Sequence, residues 1–171
     1  MLPHELENIK EQLKEVSEKL QNTVSMEKVI QIASEAKALE DSDSRLHTIS
    51  GSYSDEKPII AVARDEAFCF YYEDNIRLLQ EYGAKIEYFS PIHDTELPRG
   101  CSGILLGGGY PELYGEELSR NTEMLKTLKS VIQSGIPVVA ECGGFMYLHR
   151  RIVNKENQAY PMVGVIPADC Y

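Results

Sequence analysis

The sequence predicts an α/β protein: an open, mostly parallel sheet with helices on both faces, preceded by a helical appendage. Three observations carry this. From Pro58 onward, apolar runs of strand length alternate with segments of helical spacing. The runs are nearly continuous in Val, Ile, Leu and Ala, as in strands buried on both faces. Residues 1–40 have a different texture, rich in Glu and Lys with a thin apolar stripe.

In the appendage, Leu6, Ile9, Leu13, Val16 and Leu20 recur at three- and four-residue steps, the period of an amphipathic helix. Beyond Asn22-Thr23, Val29, Ile32, Ala33 and Ala36 predict a second, shorter helix. Residues 41–57 are polar and aperiodic, and read as a linker. The main domain then spans 58–171. Its predicted order is a strand at Ile59–Ala63, a helix at Tyr71–Tyr82 capped by Gly83, and a strand at Lys85–Phe89. A polar crossing at Pro91–Gly100 leads to a third strand at Gly103–Leu106 and the turn Gly107-Gly108-Gly109. One helix is expected from about Glu112 to Gln133, closed by Ser134-Gly135. A fourth strand follows at Ile136–Ala140, and a fifth at Met162–Ile166.

The net charge of −10 argues against a nucleic-acid surface, which must neutralise phosphates. No stretch approaches the roughly 18 apolar residues of a membrane span, and the N-terminus lacks a signal-peptide layout. Cys69, Cys101, Cys142 and Cys170 are scattered without a Cys-x-x-Cys pair, so neither a disulfide framework nor a zinc site is indicated. A reducing, cytoplasmic setting is expected.

In a parallel α/β sheet, ligands bind at the carboxyl ends of the strands. Three features fall there: Arg64-Asp65, Gly107 to Tyr110, and Cys142. Cys142 follows a strand and precedes Gly143-Gly144 and an apolar helical segment, the layout of a nucleophile elbow. A helix start and exposed amides at such a turn stabilise the thiolate, the reactive form. A buried free cysteine after a core strand is the plainer alternative, and the glycine pair is what argues against it. The three glycines at 107–109 lack the Gly-Lys-Ser/Thr of a phosphate loop. Paired with Cys142, their amides and that of Gly143 suit an oxyanion hole; a tight connection with no ligand is the alternative. No histidine recommends itself as a base. His4 and His47 lie in the appendage and linker, and His93 in a polar loop. His149 sits seven residues past Cys142 on the same expected helix, about 10 Å along its axis.

At this point the residues resemble a known family. Ile59 to Tyr72 with Asn75, then Phe89-Ser90-Pro91, Gly107 to Glu112, and Ala140-Glu141-Cys142-Gly143-Gly144 are similar to the cobyrinic acid a,c-diamide synthases. The similar part is their C-terminal, triad-type (class I) glutamine amidotransferase domain, which implies a flavodoxin-like fold. The resemblance implies that Cys142 attacks the side-chain amide of glutamine, giving a γ-glutamyl thioester and ammonia. Amides of Gly108, Gly109 and Gly143 would hold the oxyanion. The ammonia would pass to a synthetase domain, where ATP and Mg²⁺ activate carboxylates of a corrin. Those ATP and Mg²⁺ sites are expected outside this chain, with the appendage as the tail of that domain. The catalytic histidine is expected beyond Tyr171, so the chain is expected to be inactive alone.

Other residues weigh less. The aromatic run Phe68–Tyr72 is expected to pack an aromatic helix start against the sheet. Arg64-Asp65 reads equally as a ligand contact or a surface ion pair. Glu141 could touch substrate or merely satisfy local backbone donors. The orphan amphipathic helix and a bare sheet edge leave a homodimer as an expectation. Three other functions stay open: a cysteine hydrolase of similar fold, a non-catalytic amidotransferase-like module, and a diamide synthase for another tetrapyrrole.

Overall fold

The computed structural model describes residues 9–38 and 57–171. The chain separates into two compact units, Met1–Ser50 and Gly51–Tyr171. In the first, the amphipathic periods form α1 (Ile9–Thr23) and α2 (Met26–Ser34). Ser25 separates them, its hydroxyl capping α2 by accepting from Lys28 N. Neither helix buries a residue, and Leu13, Val16 and Ile32 stay more than half exposed. Most of the linker expected at 41–57 lies outside the described residues, as does Leu6.

The second unit holds β1 (Ile59–Ala63), α3 (Glu73–Glu81), β2 (Lys85–Phe89), β3 (Cys101–Leu106), α4 (Gly115–Arg120), α5 (Thr122–Gln133), β4 (Val138–Ala140) and α6 (Gly143–Tyr147). The four strands pair in the order β2-β1-β3-β4, all parallel, as the continuous apolar runs require. Alternation along each strand feeds two faces. Ala61, Ala63, Ile104 and Leu106 join Met124, Leu125 and Leu128 of α5 in one buried cluster. Ile60 and Leu105 turn the other way, toward Leu78 and Leu79 of α3. Burying one large side chain of this kind contributes about 1.5–3 kcal/mol. Full burial of Phe68, Leu106, Leu118, Leu128 and Tyr147 therefore makes the α5 face the stronger anchor. The opposite face is thinner at β4, where Val139 is 64% exposed on the edge strand.

Four expectations change here. The helix expected at Glu112–Gln133 is two, because Asn121 leaves helical geometry (φ −80°, ψ 64°) and caps α5 by accepting from Met124 N. The helix expected at Tyr71 begins at Glu73, while Gly83 (φ 91°) ends it as expected. The segment after Cys142 makes only the five-residue α6, and His149 begins a strand rather than continuing a helix. The fifth strand is not Met162–Ile166. A separate sheet of order β6-β5-β7 forms from β5 (His149–Val153), β6 (Ala159–Pro161) and β7 (Ile166–Cys170). Its β5 shows Arg150 and Arg151 to solvent and buries Ile152. Asp169 of β7 accepts from both arginines and ties the two strands.

Candidate active site

Cys142 stands at the carboxyl end of β4, exposed, in a backbone conformation (φ 50°, ψ −112°) that non-glycine residues rarely adopt. Such strain costs on the order of 1–3 kcal/mol and persists only where surrounding bonds fix it. They are present on both sides. Glu141 N donates to Leu106 O at 2.9 Å, continuing the β3–β4 pairing. Gly144 N reaches Gly107 O at 2.9 Å, and Met146 N reaches Cys142 O at 3.0 Å. Gly144 has no room for a side chain: a Cβ there would lie 2.2 Å from Leu106 O. The elbow is thus laced to the neighbouring glycine turn.

That turn is held from its far side. Phe70 N donates to Gly108 O at 3.0 Å in an isolated antiparallel bridge, and Tyr110 N donates to Ala67 O at 2.9 Å. A Cβ on Gly109 would sit 1.9 Å from Ala67 O, so this approach needs glycine. The Tyr71 hydroxyl donates to Ala63 O and accepts from Gly107 N, joining the ends of β1 and β3. Burial pushes the Tyr71 phenol up to about 12, so it stays a neutral donor. Gly143 packs directly on Gly109: a Cβ on Gly143 would lie 3.1 Å from Gly109 N and 2.8 Å from Pro111 Cδ. Neither the Gly109 amide nor the Gly143 amide donates to an acceptor among the described residues. Gly108 accepts from Phe70 N through its carbonyl, and its amide likewise donates to no acceptor among the described residues. The five-residue α6 is too short for a strong dipole, so these amides are the main source of positive potential.

The turn, the elbow and the start of α3 enclose a cavity of about 280 Å³. Cys142, Gly108, Gly109, Tyr72, Asn75 and Glu141 are among its walls. Asn75, Leu105 and Glu141 also border a second, apolar groove of about 440 Å³ between α3 and β4. The aromatic run divides its tasks. Phe68 is buried against Tyr147, with ring centroids 5.2 Å apart, as packing predicts. Phe70 and Tyr72 are more than half exposed, meet edge to face, and line the cavity instead. Glu141 satisfies no local backbone donor: its carboxylate accepts from no group among the described residues, nor does the Asn75 carboxamide find a partner there.

Arg64 and Asp65 lie outside this cavity and do not pair with each other. The Arg64 guanidinium rests 4.9 Å from the Tyr88 ring centroid. Asp65 accepts from Ala67 N, Phe68 N, Ser90 Oγ and Ile92 N, a fully engaged bracket. Neither described histidine lines the cavity. His149 is buried with Nδ1 2.9 Å from Phe145 O, and His93 Nε2 meets the Glu66 carboxylate at 3.0 Å. The bracket and the Phe70–Gly108 bridge escaped sequence reasoning, although Asp65-x-Ala67 is a recognisable Asx turn.

Comparison with known proteins agrees with the geometry. The chain is 40% identical over 150 residues to a cobyrinate a,c-diamide synthase of Dehalococcoides mccartyi, covering 86% of this chain and 32% of the relative. Another, from Caldanaerobacter subterraneus subsp. tengcongensis, is 37% identical over 96% of this chain and 35% of its own length. A third, from Synechococcus, reaches 50% identity over 64% of this chain and 24% of its own length. The chain thus spans less than two fifths of the length of these curated relatives. Residues 59–171 match the CobB/CobQ-like glutamine amidotransferase domain, and the chain belongs to that family.

Proposed function

We propose that this chain is the glutamine-hydrolysing part of a longer cobyrinate a,c-diamide synthase, with Cys142 as nucleophile. The observation that carries the reading is the strained elbow, which sets an exposed Cys142 against the Gly107–Gly109 turn on the wall of a small cavity. The Cys142 thiolate adds to the Cδ carbonyl of glutamine, and the two amides hold the oxygen as it gains charge. One such donor is worth about 3 kcal/mol of transition-state stabilisation. Collapse of the adduct breaks the C–N bond and, with a proton delivered to nitrogen, releases ammonia. Water then cleaves the γ-glutamyl thioester to glutamate and restores the thiol. Gly108 fixes the turn through its carbonyl bridge to Phe70, and its amide is the third candidate donor to the oxyanion.

The imidazole that moves these protons is assigned to the longer protein rather than to this chain, because neither His93 nor His149 faces the cavity and His4 and His47 fall in the appendage and linker. Ammonia is passed to an ATP- and Mg²⁺-dependent synthetase portion acting on a corrin carboxylate, outside this chain, in a reducing cytoplasm. The test is ammonia release from glutamine. The full-length protein should turn over, its Cys142→Ser variant should not, and the 171-residue chain alone should show no steady turnover. Steady turnover by the isolated chain would contradict the assignment of the base.

A further inference from the structure

We infer that Glu141 and Asn75 read the two charges of the amino-acid end of the substrate, Glu141 taking the α-ammonium and Asn75 the α-carboxylate. The inference rests on the glutaminase reading above and extends it to substrate selection. A glutamine whose side-chain carbonyl lies at Cys142 and the Gly109 and Gly143 amides must place its α-carbon three bonds from the reacting carbon. That end carries one positive and one negative charge into a cavity of about 280 Å³. Leaving either charge unmet in a confined site is costly.

The walls of the cavity offer few groups to meet them. Among the described residues Glu141 is the single acidic side chain there, and no Lys, Arg or His of the described residues lines the cavity. Glu141 precedes the nucleophile directly, and Glu141 and Val139 both border the groove on the α3 side of the sheet. Its backbone is held by bonds to Leu106 O and from Gly144 N, while its carboxylate keeps no partner among the described residues. Asn75 approaches from the first turn of α3, where its backbone amide bonds Tyr72 O and its carboxamide is likewise uncommitted. An acid and an amide donor bordering the same cavity suit a zwitterion. A carboxylate meets the ammonium by charge, and a neutral N–H donor meets the carboxylate where no cation is at hand.

Two glutamine analogues, each lacking one charge, test this in the full-length protein: glutaramate has no α-ammonium, and 4-aminobutanamide has no α-carboxylate. Ammonia release is measured for each in wild type, Glu141→Gln and Asn75→Leu, with melting curves to confirm folding. Wild type should prefer glutamine to either analogue by about 10- to 100-fold in kcat/KM, the range of a charge-assisted hydrogen bond. Glu141→Gln should erase most of the preference over glutaramate, mainly through a raised KM for glutamine. Asn75→Leu should do the same for 4-aminobutanamide. Unchanged preferences in folded, active variants would overturn the inference, and so would equal losses on glutamine and its analogues. A wild type that releases no ammonia from glutamine overturns the glutaminase reading itself, which the other outcomes leave standing.

Discussion

The two halves of the sheet's carboxyl edge use their polar groups in opposite ways. At the ends of β1 and β2 every polar group that matters is engaged. Asp65 accepts four hydrogen bonds, and Asn121 Nδ2 spans the carbonyls of Pro91, Ile92 and Asp94. At the ends of β3 and β4, Asn75, Glu141 and Cys142 stand exposed around the glycine turn, and the side chains of Asn75 and Glu141 keep no partner among the described residues. Asp65 is half-buried and fully engaged, whereas Asn75, Glu141 and Cys142 face solvent with their side-chain polar groups uncommitted. The first half therefore behaves as a frame, and the second is open to a ligand. The strain at Cys142 fits this division, since a rigid frame is what keeps an unfavourable backbone in place.

Substitutions in the two halves should therefore separate activity from stability. The largest effect belongs to Cys142→Ser, which should reduce glutamine hydrolysis by the full-length protein at least about 10³-fold with little change in melting temperature. Gly143→Ala should follow: its Cβ would press on Gly109 N and Pro111 Cδ and push the elbow away from the glycine turn. A loss of about 10²-fold in kcat, with KM nearly constant, is the expected kinetic result. In the frame, Asp65→Ala orphans four donors and should destabilise the folded state by about 3 kcal/mol, read as a lower urea midpoint. A frame variant that lost activity while keeping its stability would break the division.

Tyr71 joins the halves, and its effect should be the smallest. Tyr71→Phe removes the bond to Ala63 O and the acceptor for Gly107 N, worth about 1 kcal/mol. It also carries a pH signature. The folded-state phenol ionises near 12 against 10.0 ordinarily, so the folded protein holds the proton more tightly than the unfolded chain. That contribution is complete below pH 10 and is lost as pH rises from about 10 toward 12. Denaturation midpoints across that window should fall less steeply in Tyr71→Phe than in wild type.

Much of the functional edge was legible because its signals are local. Apolar runs of period-free strand type, the glycines after β3, and the Cys142-Gly143-Gly144 turn each sit within a few consecutive residues. Beyond its local Asx turn the frame was not legible, because its other bonds join residues 25 to 30 positions apart, such as Asp65 with Ser90 and Asn121 with Pro91. Asn121 looked like one polar residue in a long helix; its value as a cap shows only once α4 and α5 diverge. The second sheet was missed for another reason. His149-Arg150-Arg151 reads as polar, and β5 buries only His149 and Ile152, too little alternation to announce a strand. That miss also placed His149 on a helix it does not join.

The central claim is that Cys142 is a nucleophile for glutamine. Its most direct test is mass spectrometry of the full-length protein after treatment with 6-diazo-5-oxo-L-norleucine, a glutamine analogue that traps the attacking thiol. The account predicts a single adduct on the peptide carrying Cys142, suppressed by excess glutamine and absent from Cys142→Ser. An unmodified Cys142, or glutamine-protected labelling at Cys69, Cys101 or Cys170, would contradict it.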